Sequence, residues 1–444
     1  MSKFNANFLI KPVFFIVCLL LAVHLVLWLE QLKPSDFGFY RDIFTKEVII
    51  QKRAEYPLRE PKGTLSEQEM EFARIAWTYF ENNYHEETGF VNSVQDYPAA
   101  TLWDLTSYML GMISAYEIGI IDSFEFDNRL TTYIQSLSEI QLYRDKLPNK
   151  VYNAISLQMV DYADQPTEMG VGWSALDIGR FFSFVNKVVF DYPAYHSLLR
   201  NAIGHWQIDK MIDKATMYGL VFNPKDGQPM SVQEGKLGYE QYCARGLMMA
   251  GYDVSEAMKY TDFLRFVRIF GEDIAVDTRE IRRHPAHNYI LSEPYMLDGI
   301  EYGWDFTSRE LAYRVYKVQK ERYKRTGIIT AVSEDHVDES PYFVYNCVYA
   351  DGKTWVCVAE NGDDADEFRS LSTKAAISWY VLYEDDYSDV LLNAVKNLYD
   401  PERGWYSGRY EKTGEINTAI TANTNGIILT ALNYLKNGRV VGFK

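Results

Sequence analysis

The sequence predicts a mainly α fold: a ring of antiparallel helical hairpins carrying one small β-hairpin element, preceded by a single N-terminal transmembrane helix. Three observations carry this. About a dozen stretches repeat apolar residues at helical spacing, with neither βαβ alternation nor a heptad run among them. The clusters richest in Gly, Trp, Tyr and carboxylates fall at the starts of those stretches, where a bowl built from hairpins would hold its site. The apolar run 8–29, broken only by Lys11 and His24, is about as long as a minimal membrane-crossing helix.

Taken in order, Lys3 and Lys11 place residues 1–7 in the cytoplasm by the positive-inside rule, with 8–29 as the anchor. No small-x-small cleavage site follows, which favours an uncleaved anchor and an exported remainder, periplasmic or extracellular. Residues 30–62, rich in proline and mixed charge, read as a juxtamembrane stalk, and 63–444 as the helical domain. Ser66-x-x-Glu69 is a capping box opening a helix to about residue 83. Further helices are expected at 101–121, 124–138, from Trp173, at 193–214, from Tyr239, and at 253–270, 307–325, 370–383, 387–398 and 418–435. Short strands and turns are expected in 216–233, but convincing strands only in 327–358, where Asp351-Gly352 marks a hairpin turn. Cys347 and Cys357 lie equidistant from Gly352, so a three- or five-residue loop would set them opposite one another. An exported compartment permits a disulfide there, and two reduced, half-buried thiols are the equal alternative.

With 444 residues and 47% hydrophobic content the chain buries a sizeable core. Its net charge of −16 excludes a phosphate-backbone partner. Thirty-four Tyr, 24 Phe and 9 Trp fill that core and also offer flat, half-polar platforms for a hydroxylated ligand.

Five clusters carry candidate chemistry. In GVGWSALDIGR (170–180), Trp173, Asp177 and Arg180 share one helix side while Ala175, Ile178, Phe182 and Val185 line the other, which suits a cavity wall. In TLWD, Trp103 and Asp104 open a helix; Asp104 is either a site residue or a first-turn acid favoured by the helix dipole. In EGKLGYE, Glu234 and Glu240 bracket two glycines and Tyr239, for acid/base work or for capping. DGIEYGWD (298–305) offers Tyr302 among three acids, as a sugar-facing loop or as the cap of the next helix. In RYEKTGEINTAITANTNG, Glu411 and Glu415 precede a helix holding Asn423 and Asn425, which compete with backbone hydrogen bonds unless aimed at something polar.

Other chemistries fall away. Gly170-x-Gly172-x-x-Ala175 follows no apolar strand, so it is no dinucleotide fingerprint. There is no Walker A loop and no G-x-S-x-G elbow. Pro285 keeps His284 and His287 off one helical face, and the acidic run 360–367 does not match an EF-hand, so neither metal nor cofactor is expected.

TGFVNSVQDYP, TLWD, LPNKVY, GWSALDIGR, EGKLGYEQYCA and ITANTNGIIL, in that order over roughly 64–438, resemble the bacterial family catalogued as domain of unknown function 3131. That family is similar in turn to glucoamylase-type (α/α)6 toroids, and the resemblance implies that fold, a polysaccharide substrate and proximity to envelope-polysaccharide synthesis or export machinery. It supplies no catalytic pair to carry over. The expected activity is a membrane-anchored glycoside hydrolase or transglycosylase acting on a glucan-like polysaccharide; the alternative is a non-catalytic glycan-binding or scaffold subunit. The candidate acids, in order, are Glu234, Asp177, Asp104, Glu240 and Glu415. Trp103, Trp173, Tyr239 and Tyr302 are the candidate sugar platforms. Arg180 is expected to orient Asp177 or bind a hydroxyl, and Asn423 to bind ring hydroxyls.

Overall fold

The computed structural model describes residues 7–31, 50–222, 228–235, 237–260, 263–279 and 287–442. The chain divides into two compact units, Met1–Gln51 and Lys52–Lys444. In the first, helix α1 (Asn7–Gln31) exposes its side chains from Phe14 to Leu27. Among the described residues, no helix is long and apolar enough to cross a membrane. The expected cytoplasmic tail, apart from Asn7, and residues 32–49 of the expected stalk lie outside the described residues, as does His284.

The second unit begins at Lys52, so the last part of the expected stalk is packed chain. Arg53 pairs with Glu272 and Glu310 at 2.7 Å each, and Arg59 donates to the carbonyl of Tyr380. The helices that follow are α2 (Glu67–Asn82), α3 (Leu102–Ile118), α4 (Ser123–Glu139), α5 (Ala175–Asp191), α6 (His196–Ile203) and α7 (Tyr239–Met249). After them come α8 (Glu293–Leu297), α9 (Phe306–Thr326), α10 (Thr373–Leu382), α11 (Asp386–Val395) and α12 (Ala422–Asn437). Six of them close a ring: α3 packs on α5, α5 on α7, α7 on α8, α8 on α10, α10 on α12, and α12 returns to α3. Outside it, α2 lies on α12, α4 on α3, α6 on α4, α9 on α8 and α11 on α10. This is the expected helical toroid.

Sequence explains which helix is inner. Every residue of α10 (TKAAISWYVL) is buried, and α3 is buried from Leu102 to Ala115; a helix apolar all round belongs inside. By contrast α2 and α4 alternate buried aromatics with exposed acids and bury one face only. Glycines set the closest crossings. A Cβ on Gly426 of α12 would lie 2.2 Å from the Ser107 carbonyl oxygen of α3, and one on Gly246 of α7 would lie 2.6 Å from that of Gly179 on α5. Replacing Gly426 with Ala should therefore force α12 off α3 and cost about 3 kcal/mol, read as a lower urea midpoint. An unchanged midpoint would show that the crossing has slack.

Three expectations need correction. Residues 193–214 form a short 3₁₀ turn (Pro193–Tyr195), α6 and a second turn (Ile208–Met211), not one helix. Residues 264–277 are a β-hairpin, β9 (Leu264–Ile269) on β10 (Glu272–Asp277), because Phe270 and Gly271 take left-handed conformations and turn the chain. Strands are also far more widespread than 327–358, since the described residues hold seven small antiparallel sheets. One of these, β17 (Gly404–Tyr410) with β18 (Ile416–Ile420), takes the start of the helix expected from 418.

In the region where strands were expected, β12 (Glu334–His336) and β14 (Lys353–Ala359) flank β13 (Phe343–Ala350). Asp351-Gly352 makes the expected turn, but with a two-residue loop. Cys347 therefore faces Val356, and Cys357 faces Asn346. The one-residue offset sends the two thiols to opposite faces, into separate apolar clusters. All four cysteines are free.

Candidate active site

One end of the ring gathers the first turns of all six inner helices. At α3, Asp104 closes a capping box: its Oδ2 accepts from the Thr101 amide and hydroxyl at 3.1 and 2.7 Å. At α5, the Ser174 hydroxyl caps the helix and donates to Asp177 at 2.9 Å. Glu234, from the loop before α7, reaches this same helix end, accepting from the Ala175 amide at 2.6 Å and pairing with Lys150 at 2.7 Å. Tyr239 starts α7, and its hydroxyl donates to Glu334 of β12 at 2.6 Å.

Glu293, the first residue of α8, ties the remaining starts together. It accepts from Trp103 Nε1 of α3 (3.2 Å), Asn423 Nδ2 of α12 (3.0 Å) and the Ser333 hydroxyl (2.9 Å), and it pairs with Lys374 of α10 at 2.5 Å. Arg180 of α5 lies under Trp103, its guanidinium 4.4 Å from the ring centroid. It donates to the Trp103 carbonyl, the Ser107 hydroxyl and the Tyr242 hydroxyl.

The electrostatics follow from crowding acids with few cations. Burial, then the charge of Glu234, pushes Asp177 up to about 7 against the opposing pull of Ser174 and Lys150; Asp104 adds to the rise. Burial raises Asp104 too, restrained by Thr101 and by the charges of Arg180 and Lys374. Glu293 and Glu334 compete for Lys374. Burial works against both, but the direct pair with Lys374 leaves Glu293 ionised, while Glu334, facing that charge, is pushed up and holds a proton. Asp335 is raised to about 7 by burial, with Lys374 opposing.

Tyr162 lies within reach of the same charges. The residue is 54% exposed, yet the protein around its hydroxyl raises that group's pKa, and the charges it feels include Lys150, Asp177, Glu360 and Glu234.

Of the sequence candidates, Asp104, Asp177 and Glu234 converge, and Trp103, Tyr239, Arg180 and Asn423 surround them. Roles change, however. Arg180 is 1% exposed and braces Trp103 rather than Asp177. Asn423 spends its amide on Glu293 and accepts from Ser107 at 2.8 Å, so it orients the floor. Trp173 is core: its indole donates to the Tyr218 carbonyl and its ring sits edge-on to Tyr143. Tyr302 is equally buried, bonded to Ser183 at 2.6 Å.

Glu240 is buried in an ion pair with Arg279 at 2.8 Å and accepts from Gln233 at 2.7 Å. The charge of Arg279 and the helix turn claim it for structure. Glu240→Gln should cost about 1–3 kcal/mol of stability while leaving turnover per folded molecule within about twofold of wild type. A thermal melt paired with an activity assay checks this, and a turnover loss at unchanged stability would return Glu240 to the site. Glu415 is exposed on the turn between β17 and β18.

Sequence reading missed Glu293, Glu334, Lys374 and Lys150. Glu334-Asp335 was visible as two acids on a strand, and Glu293 as an acid just ahead of a proline at a helix start. Lys374 carried no local signal.

Solved structures share the fold at low identity. A putative glucoamylase from Bacteroides caccae superposes with TM-score 0.61 at 10% identity, covering 84% of this chain and 94% of its own. An endo-β-1,2-glucanase from Chitinophaga pinensis, in complex with sophorotriose and glucose, gives 0.58 at 10% identity, covering 85% and 94%. An endo-β-1,2-glucanase mutant from Talaromyces funiculosus, in complex with β-1,2-glucan, gives 0.51 at 10% identity, covering 84% of each chain. No curated protein sequence matches the chain. The profile of DUF3131, a protein family of unknown function, matches residues 71–438, and the chain belongs to that family.

Proposed function

We propose that this protein is a glycoside hydrolase acting on a glucan-like polysaccharide. The observation that carries it is the convergence of Asp104, Asp177 and Glu234 at one end of the helical ring, with Asp177 feeling both other charges. Glu234 pairs with Lys150 and accepts from the α5 amide, and burial together with the nearby Glu234 raises Asp177 to about 7. Asp177 then donates its proton to the glycosidic oxygen as the bond breaks, and Asp104 activates the attacking water on the far side. Trp103, Tyr239 and Tyr162 face the sugar. The glucanases that share the fold support a glucan substrate. A scaffold would be expected to plug this floor with apolar side chains; carboxylates there favour the enzyme.

The run 8–29 is proposed as a membrane anchor that exports the second unit, placing it beside polysaccharide synthesis or export machinery. The test of the activity is to offer the full chain a panel of β- and α-glucans and measure new reducing ends. Release by the wild-type chain, abolished in Asp177→Asn and Asp104→Asn, is the expected result. Activity that survives both substitutions and Glu234→Gln intact would refute the assignment.

A further inference from the structure

The mechanism leaves unused a strip of aromatic rings beside Glu334. In the register of β12 and β13, Glu334 faces Tyr345 and His336 faces Phe343, so these four side chains share one side of the sheet. Ring centroids then follow one another closely. His336 to Phe343 is 5.1 Å, Phe343 to Tyr345 is 5.2 Å, Tyr345 to Tyr289 is 4.5 Å and Tyr289 to His287 is 4.9 Å, the last two pairs stacked. All five side chains are half-buried, with Tyr289 stacked between Tyr345 and His287 and its hydroxyl enclosed.

The strip is continuous with the site. Tyr239 packs against the same apolar cluster as Tyr289 and Tyr345, reaches Glu334 with its hydroxyl, and has its ring 6.0 Å from that of Trp103. At the other end His287 Nδ1 lies 3.0 Å from Asp351 at the hairpin turn.

The chemistry of the strip selects its occupant. Flat rings edged by tyrosine hydroxyls and imidazoles suit the mixed apolar and hydroxylated faces of sugars better than an apolar peptide. Acidic groups flank the strip: Glu360 acts on Tyr345, and Asp351 lies at the far end. With a net charge of −16 besides, the surface repels anionic polymers. We propose that His336, Phe343, Tyr345, Tyr289 and His287 form an extended track for a neutral polysaccharide, holding the chain well beyond the sugars at the carboxylates. The protein then engages long chains along their length. This rests on the hydrolase reading only for the direction in which the chain runs; the track binds whether or not the bond is cut.

Binding is measured by calorimetry on the full chain carrying Asp177→Asn, so that turnover does not intrude. The probes are soluble β-1,2-glucan, β-1,3-glucan and starch, the disaccharide of whichever binds, and polygalacturonate. A long neutral glucan should bind more tightly than its disaccharide. Tyr289→Ala should weaken it about tenfold, equivalent to about 1.4 kcal/mol, and Tyr289→Phe should restore it. His287→Ala, at the outer end, should weaken it less and serves if Tyr289→Ala fails to fold. Unchanged affinity in both alanine variants, polygalacturonate binding as tightly as the glucan, or no glucan binding at all overturns the track. Hydrolysis without length-dependent binding sinks the track and spares the hydrolase; length-dependent binding without hydrolysis does the reverse.

Discussion

Asp177→Asn should lower turnover on a glucan by about a hundredfold to ten-thousandfold, the usual worth of a positioned proton donor. The substitution keeps the size of the side chain and its bond to Ser174 but removes the proton that Glu234 and burial hold in place. In the wild type, activity should fall above about pH 7, tenfold per unit, as Asp177 loses that proton. Stability carries the same signature with a definite sign. The folded pKa is raised, so between about pH 4 and 7 the unfolded chain releases a proton the folded chain keeps, and stability declines as pH rises through that window. The asparagine variant escapes this decline. It should match wild type below pH 4 and exceed it by about 2 kcal/mol at pH 8, a figure below the full linkage value because Asp177 is only half-buried. Urea titrations at the two pH values check this, and a variant less stable at pH 8 would contradict it.

Lys374→Met should have the largest effect on stability, about 3–5 kcal/mol at pH 8. Lys374 is 1% exposed and is the cation against which Glu293, Glu334 and Asp335 are buried. Without it Glu293 must take up a proton to stay inside, and Glu334 and Asp335 lose the charge that restrains their rise. That is harmless near pH 5 and costly at pH 8, where the unfolded chain ionises them freely. The penalty should therefore grow with pH. Equal destabilisation at pH 5 and pH 8 would mean that packing, not charge, is what Lys374 supplies. Glu293 also fixes Trp103 and Asn423, so the wall and floor of the site should loosen together.

Local physics made part of this legible. Ser66 with Glu69, and Thr101 with Asp104, form complete capping boxes at the helix starts that their spacing marks. The first-turn alternative read for Asp104 is realised, in a capping box, and the same helix start lies where Asp177 feels its charge. Asp177 and Glu234 were legible as acids at helix starts, and the toroid brought them to one side.

The misreadings have physical causes. Leu264–Ile269 and Glu272–Asp277 are short runs of mixed apolar and charged residues in which two-residue and helical periods compete, and the left-handed turn at Phe270-Gly271 decides between them. Trp173 precedes the Ser174 cap and bridges to Leu220, so it is off the helix that carries Asp177, while Arg180 lies on that helix but is claimed by Trp103, which helical spacing cannot foresee. The part Glu293 plays was not legible because its partners Trp103, Ser333, Lys374 and Asn423 are scattered through the chain and meet only when the ring closes.

The protonation of Asp177 is where the account stands most exposed, and carboxyl carbon-13 NMR reads it directly. Subtracting the Asp177→Asn spectrum from that of the wild-type chain isolates this one group across a pH titration. A midpoint near pH 7 is the predicted result. A midpoint near 4, the ordinary aspartate value, would leave the site without its proton donor.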